Sequence, residues 1–468
     1  MKNNYGKVTP KTISDLTNLL DKESVSTKQH ELEGFASDEM PLPKSHAPQV
    51  IVKPENTAAV SKVLKYANSN KIPVSPRGAG TGLSGGCIPI YGGIVLSLER
   101  LKHLIRIDRD NFTATVEPAM TLTDFHAAVQ EQGLYYPISL GEMTASIGGS
   151  VATNAGGSNA VKYGVTRHQV LGLEAVLPNG DIVKTGGEIV KCSTGYDLTQ
   201  LIAGSEGTLA VITKIILRLA NRSTLKEVLY VPFTNLQNAI DAVPEILRLK
   251  IIPFGLEFME KSIVDIVEKY LNEEMPYHEY QAFLMVIMEG ESADEITNYF
   301  TSVEEICKKH GAVEAMVPGS ERAKRKLLHA REQFYHAIKR YAPMDIIDIV
   351  VPRQNIAVFV KRVKEISQEH CVPIIAYGHA GDGNVHLHPV CVNMEQEEWL
   401  KKLPLIMRQV YQAGISLGGS ISGEHGIGMS KKGFLDIEVG PEKLELMKRV
   451  KRAFDPNNIL NPGKIFDL

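Results

Sequence analysis

The sequence is short of three things, and each shortage removes a class of function. Its 468 residues include five cysteines, Cys87, Cys192, Cys307, Cys371 and Cys391. The number is odd and no Cys-x-x-Cys pair occurs, which argues against a disulfide framework, a structural zinc knuckle or a bound iron–sulfur cluster, and fits a reducing cytoplasm. Charge of one sign is also lacking. With 51 basic residues against 54 acidic ones, the chain carries no electrostatic footprint for nucleic acid. No run of about 18 apolar residues occurs anywhere and the N-terminus has no apolar leader, so neither a transmembrane segment nor a secretory signal is expected. The length predicts two or three domains, each able to bury its own core.

A complete dinucleotide fingerprint is missing too. A strand (49–54, QVIVKP), a helix (57–69) and a second strand (72–76, IPVSP) lead into the run Arg77-Gly-Ala-Gly-Thr-Gly-Leu-Ser-Gly-Gly86. Gly80 to Gly85 satisfies G-x-G-x-x-G, but a Pro-interrupted loop and another strand follow where the Rossmann motif demands a helix. The phosphate-binding P-loop fails as well, because no Gly-Lys-Ser/Thr ends the run. By itself this stretch reads equally as a backbone nest for a pyrophosphate or as an ordinary flexible turn. Residues 140–164 (LGEMTASIGGSVATNAGGSNAVKYG) favour the nest, since such small residues let a backbone approach a flat ligand closely. A further small-residue turn (203–208) precedes a strand over 209–219.

Downstream, strand-helix-strand patterns recur: 227–232, 236–249 and 255–259; 281–288, 293–309 and 312–317; 345–351, 355–370 and 372–377. They predict an α+β layer of ferredoxin-like type. A helix over 320–341 carries an apolar seam at Leu327, Ala330, Phe334, Ala337 and Tyr341. Arg331 borders that seam and on its own reads as a solvated arginine. The stretch 377–389, YGHAGDGNVHLHP, predicts a hairpin whose Gly-Asp-Gly-Asn turn brings His379 and His386 together, with His386 and His388 on one face. Singly, each histidine reads as a surface or core residue. Two across a hairpin, joined by a carboxylate from elsewhere, make a facial set for a divalent ion. Glu424 and His425 sit in the glycine-flanked run 420–428 (SISGEHGIG), which predicts a tight loop, and a helix follows over 441–453.

In their order and spacing, PRGAGTGLSGG, IGGSVATNAGG, GYDLTQLIAGSEGTLAVIT, YGHAGDGNVHLHP, SGEHGIG and FDPNNILNPGKIF resemble one family over nearly the whole chain. It is the vanillyl-alcohol oxidase/p-cresol methylhydroxylase flavoprotein superfamily, and within it the FAD-linked D-lactate and glycolate dehydrogenase branch. The resemblance implies an α+β chain: a helical arm (1–46), a p-cresol methylhydroxylase-type FAD-binding domain (47–222), a ferredoxin-like cap with a metal site (223–425), and a C-terminal segment (426–468) returning to the FAD domain. Pro76, Arg77, Gly78, Ala79, Gly80, Thr81, Gly82, Leu83, Ser84 and Gly85 would cradle the FAD pyrophosphate. Pro137, Leu140, Gly141, Thr144, Gly148, Gly149, Thr153, Asn154, Gly157 and Gly164 would line the rest of the cofactor, with Glu206, Gly207, Ile212 and Asn461. Members that attach flavin covalently through the first loop often carry histidine where Thr81 stands, so non-covalent FAD is implied.

For the chemistry, the resemblance implies His379, His386 and Glu424 as ligands of a divalent zinc, manganese or iron ion. It implies Arg331 as the grip on a substrate carboxylate, Tyr335 and His388 as pocket residues, and His425 as the base. The implied reaction is oxidation of a D-2-hydroxy acid to the 2-oxo acid, with hydride passing to flavin N5. D-lactate is favoured, with glycolate and D-2-hydroxyglutarate open. Electrons would leave to an external acceptor such as an electron-transferring flavoprotein or an iron–sulfur subunit. Two other readings stand beside it: an FAD-binding electron-transfer subunit without substrate chemistry, and a hairpin holding structural zinc.

Overall fold

The computed structural model describes residues 5–42 and 45–468. Of the arm expected over 1–46, positions 1–4, 43 and 44 lie outside the described residues; the remainder holds the helices Pro10–Leu19 and Gln29–Gly34. The chain falls into two compact units, one of residues 1–156, 165–222 and 424–468, the other of 157–164 and 223–423. Glu424 and His425, expected at the end of the cap, therefore group with the first unit. The reason is local, because the backbone just after them is bonded by Glu206 of that same unit.

Among the described residues, the first unit carries two main sheets. In one, Val50–Val52, Ile94–Ser97 and Val74–Arg77 run parallel, with Val25–Ser26 antiparallel at the edge. Val50–Val52 and Ile94–Ser97 are buried at every position, as expected for parallel strands covered on both faces. Helix Thr57–Ser69 forms because the Asn56 side chain caps Ala59 N–H and because Val60, Val63, Leu64 and Ala67 recur at helical spacing and are buried. The second sheet is antiparallel, in the order 104–108, 113–116, 211–218, 170–176, 182–186. Its core includes Phe125 packed edge-on to Tyr136 at 5.0 Å, and each such buried ring contributes ~2–3 kcal/mol.

The second unit is built on a six-stranded sheet, all antiparallel, in the order 225–233, 282–290, 255–260, 374–379, 384–389, 347–350. Two expectations need correction. Residues 312–317 do not form a strand; Ala312 and Met316 make isolated bridges to Phe233 and Tyr230. Val313 and Val317 point to solvent, so the segment has no apolar face to bury in a ladder. The helix expected over 320–341 is two helices, Glu321–Glu332 and Phe334–Tyr341, interrupted at Gln333, where ψ is −2°. Tyr341 leaves the seam and is half exposed. Among the described residues no helix is long and apolar enough to cross a membrane.

Candidate active site

The hairpin of the second unit consists of Ile374–His379 and Asn384–Pro389. Its turn needs Gly383, whose φ is +90° and whose added Cβ would lie 2.1 Å from the Val351 carbonyl oxygen. Tyr377 faces His386 in register and His379 faces Asn384, so Tyr377, His379, His386 and His388 share one face. The Nε2 atoms of His379 and His386 are 3.3 Å apart, and their rings stand nearly perpendicular at 88°.

Neighbouring strands hold these rings in place. Glu257 is opposite His379 in the next strand, and its Oε1 lies 2.7 Å from His379 Nδ1. With Nδ1–H donating to the carboxylate, the lone pair of Nε2 is directed toward His386. Oε2 of the same carboxylate accepts from Arg331 Nε at 2.9 Å and Nη2 at 2.5 Å. Arg331 is therefore no solvated arginine; its guanidinium also lies 4.9 Å over the Tyr377 ring and 5.3 Å over Phe334. Burial pushes the Glu257 carboxyl up, but its interactions with His379 and with the Arg331 guanidinium outweigh it and hold the group below the usual glutamate range. His388 is fully buried, stacks on Tyr377 with centroids 5.5 Å apart, and lies 6.2 Å from the ring of Tyr335.

Asp348 is fully buried and opposite His386 in register. Its carboxylate accepts from Asn384 Nδ2 (2.8 Å), Ser422 Oγ (3.0 Å) and the Gly423 N–H (2.9 Å). A carboxylate oxygen lies within 4.8 Å of a His386 ring nitrogen. Sequence reasoning singled out neither Glu257 nor Asp348. A signal existed: Asp348 is the one acid of the strand IDIV and Glu257 stands between apolar residues in GLEFME, whose other acid, Glu260, only ends the strand, and a buried charge of that kind requires a partner.

The first unit supplies the glycine-rich loops. Strand Val74–Arg77 runs directly into the first of them. A Cβ on Gly78 would lie 2.3 Å from Ser146 Oγ, and one on Gly148 would lie 2.4 Å from Pro118 Cβ. Ser146 Oγ accepts from both the Ala79 N–H (3.3 Å) and the Gly149 N–H (3.2 Å), which ties the loop to helix Ile147–Thr153. Gly80 and Gly85 have φ of +79° and +71°, whereas Gly86 and Gly141 have open space where a Cβ would stand. A backbone surface free of side chains and pinned from behind fits a cofactor that must be approached closely.

Other expected flavin residues turn out to hold loops. Arg77 sends Nη1 to the Ser37 carbonyl oxygen (2.7 Å) and packs over Phe35. The buried carboxylate of Glu206 accepts from the N–H groups of Ile427 (2.8 Å) and Gly428 (2.7 Å). Burial pushes its pKa up, and those two bonds only partly offset that. Asn461 Nδ2 bridges the carbonyl oxygens of Gly86 and Glu206, both at 2.8 Å, and Ser84 Oγ donates to the Gly426 carbonyl (3.1 Å). The loop carrying Glu424 and His425 is thus fastened to the glycine loop; His425 Nε2 and Glu424 Oε1 are 3.6 Å apart. Thr153 bonds back to Gly149, Asn154 takes a left-handed turn and accepts from Arg167 N–H, and Ile212 lies in the core. Gly157 and Gly164 group with the second unit instead.

Both halves of the chain match known families. Residues 48–186 match the FAD binding domain, and residues 223–465 match the C-terminal domain of FAD linked oxidases. The chain is 38% identical over 469 residues to a D-lactate dehydrogenase of Anaerostipes hadrus, covering 98% of each. It is 38% identical over 422 residues to glycolate oxidase subunit GlcD of Bacillus subtilis, covering 90% of this chain and 89% of that one. The structure of p-cresol methylhydroxylase with substrate bound superposes with a TM-score of 0.79 over 98% of each chain, and at 19% identity it shows a shared fold. The chain belongs to the FAD-linked oxidases, and it is an oxidoreductase with a p-cresol methylhydroxylase-type FAD-binding fold.

Proposed function

We propose that this protein oxidises a D-2-hydroxy acid, D-lactate before glycolate or D-2-hydroxyglutarate, to the 2-oxo acid in the cytoplasm. Non-covalent FAD would be held by the loops 76–85 and 140–154, and a divalent zinc, manganese or iron ion by His379, His386 and Glu424. The observation that carries this reading is the approach of two imidazole Nε2 atoms to 3.3 Å, one of them aimed by a buried carboxylate. Neutral imidazole and carboxylate donors suit each of the three metals, and Glu424 follows directly on Gly423, whose N–H is bonded to Asp348. The names of the relatives, a D-lactate dehydrogenase and a glycolate oxidase subunit, support the substrate class.

When bound, FAD supplies a hydride acceptor at N5 and the cation supplies a Lewis acid for the hydroxyl. The chain's own residues do the rest. Arg331 receives the substrate carboxylate, with its plane already set by Glu257. Tyr335 and His388, with ring centroids 6.2 Å apart, bound the pocket. His425 takes the hydroxyl proton at Nε2, beside the Glu424 carboxylate. The two electrons leave to an external acceptor, such as an electron-transferring flavoprotein or an iron–sulfur subunit.

Anaerobic titration with D- and L-2-hydroxy acids, following the flavin absorbance and assaying metal in the same sample, tests the proposal. Bleaching by D-lactate and by few or no L-acids is expected. Metal-replete holoprotein that no 2-hydroxy acid bleaches would overturn it.

A further inference from the structure

One buried carboxylate joins two groups that the proposed chemistry uses for different purposes. Glu257 is fully buried in strand Gly255–Glu260, and its two oxygens are divided. Oε1 meets His379 Nδ1 at 2.7 Å, while Oε2 takes Arg331 Nε at 2.9 Å and Nη2 at 2.5 Å. His379 reaches it through strand register and Arg331 from helix Glu321–Glu332, so two elements distant in sequence converge on one side chain.

We propose that Glu257 is a positioning residue that couples the cation site to the substrate clamp. This inference rests on the metal-assisted reading above. A carboxylate that accepts Nδ1–H selects the tautomer in which Nε2 can ligate, and it raises the basicity of the ring. Two N–H groups on one oxygen fix the plane of a guanidinium, so Arg331 is oriented before any substrate arrives. Tyr377 and Phe334 pack on that guanidinium, which leaves the carboxylate as the polar group setting its in-plane rotation. The alternative role, in which Glu257 only neutralises a partly buried arginine, makes a different prediction: stability would change on substitution, but the cation affinity of folded protein would not.

The test compares wild type with Glu257→Gln and Arg331→Met as FAD-loaded proteins, using Mn²⁺, Zn²⁺ and, anaerobically, Fe²⁺ as probes. Glutamine offers one acceptor oxygen and cannot serve both partners. Glu257→Gln should weaken cation affinity about 10- to 100-fold and raise KM for D-lactate, with FAD content unchanged. Arg331→Met should raise KM while cation affinity stays within about threefold, because Glu257 still holds His379. If Glu257→Gln does not accumulate folded, the double variant Glu257→Gln/Arg331→Met removes both charges of the pair and carries the same affinity measurement. A Glu257 variant that binds the cation as tightly as wild type overturns the coupling and leaves the metal-assisted reading intact. Wild type that binds none of Mn²⁺, Zn²⁺ and Fe²⁺ overturns that reading and the coupling with it.

Discussion

Glu206 and Glu257 are both buried glutamates, one in each unit, and their environments shift their carboxyl groups in opposite directions. Burial raises both. At Glu206 the compensation comes chiefly from two backbone N–H groups, those of Ile427 and Gly428, and it falls short. At Glu257 it comes from two side chains, the His379 imidazole and the Arg331 guanidinium, and it exceeds the cost. The difference teaches how the two halves of the chemistry are built. The flavin side is a matter of backbone placement, with dipoles and glycines as its parts, whereas the side proposed to take the hydroxy acid sets a strand carboxylate against an arginine from a helix and a histidine from the next strand.

The strongest way to break this comparison is to remove the charged partner. Glu257→Ala leaves the partly buried Arg331 without its counter-charge, and urea unfolding should show a loss of about 3 kcal/mol; a loss below about 1 kcal/mol would put both units on the same footing. Next comes the backbone side. Gly428 has φ of +51°, and an added Cβ would meet the Ser84 carbonyl oxygen at 2.0 Å, so Gly428→Ala should cost about 2–3 kcal/mol. It should also lower the ratio of flavin to protein absorbance, because Ser84 belongs to the glycine loop.

Glu206→Gln sharpens the contrast through pH. It keeps one acceptor for the two N–H groups and should cost about 1–2 kcal/mol near pH 7. The native carboxyl titrates above its ordinary value of 4.5, so between those two values the folded protein binds more protons than the unfolded chain. Wild-type stability from this group falls as pH rises through that window. Wild type should therefore gain on Glu206→Gln as pH is lowered from neutral toward 4.5, read from urea midpoints; identical pH slopes would remove the contrast. Glu257 runs the other way, its contribution complete above the ordinary value of 4.5 and lost as pH falls through the depressed one. The smallest effect is expected at the proposed pocket wall, where His388→Asn should raise KM for D-lactate about tenfold, near 1.4 kcal/mol, with metal content unchanged. Loss of metal in that variant would move His388 into the cation site.

Much of the local structure was legible. Helices Thr57–Ser69 and Ala293–Lys309 begin and end where the residues say they should, since Asn56 and Ser292 are capping residues and the apolar spacing is regular. The hairpin was legible because four turn residues separate its strands, so His379 and His386 meet with little help from elsewhere. The 312–317 segment was not legible, since its apolar residues look the same whether or not a partner strand covers them. The environment of Arg331 was equally hidden: a basic residue in a Lys/Arg-rich helix gives no sign that a carboxylate 74 residues earlier waits for it.

By itself, then, the sequence determined the backbone features: which loops are free of side chains, which turn joins the histidine strands, and where helices start. Those depend on φ, on capping and on spacing within a few residues. Only the tertiary structure decided that Glu257 sits against His379, 122 residues away in the chain, and that Asp348 holds Asn384 and Gly423. The register of strands from distant parts of the chain selects which charge each buried carboxylate meets. No local pattern encodes that register, since it follows from how the whole sheet packs.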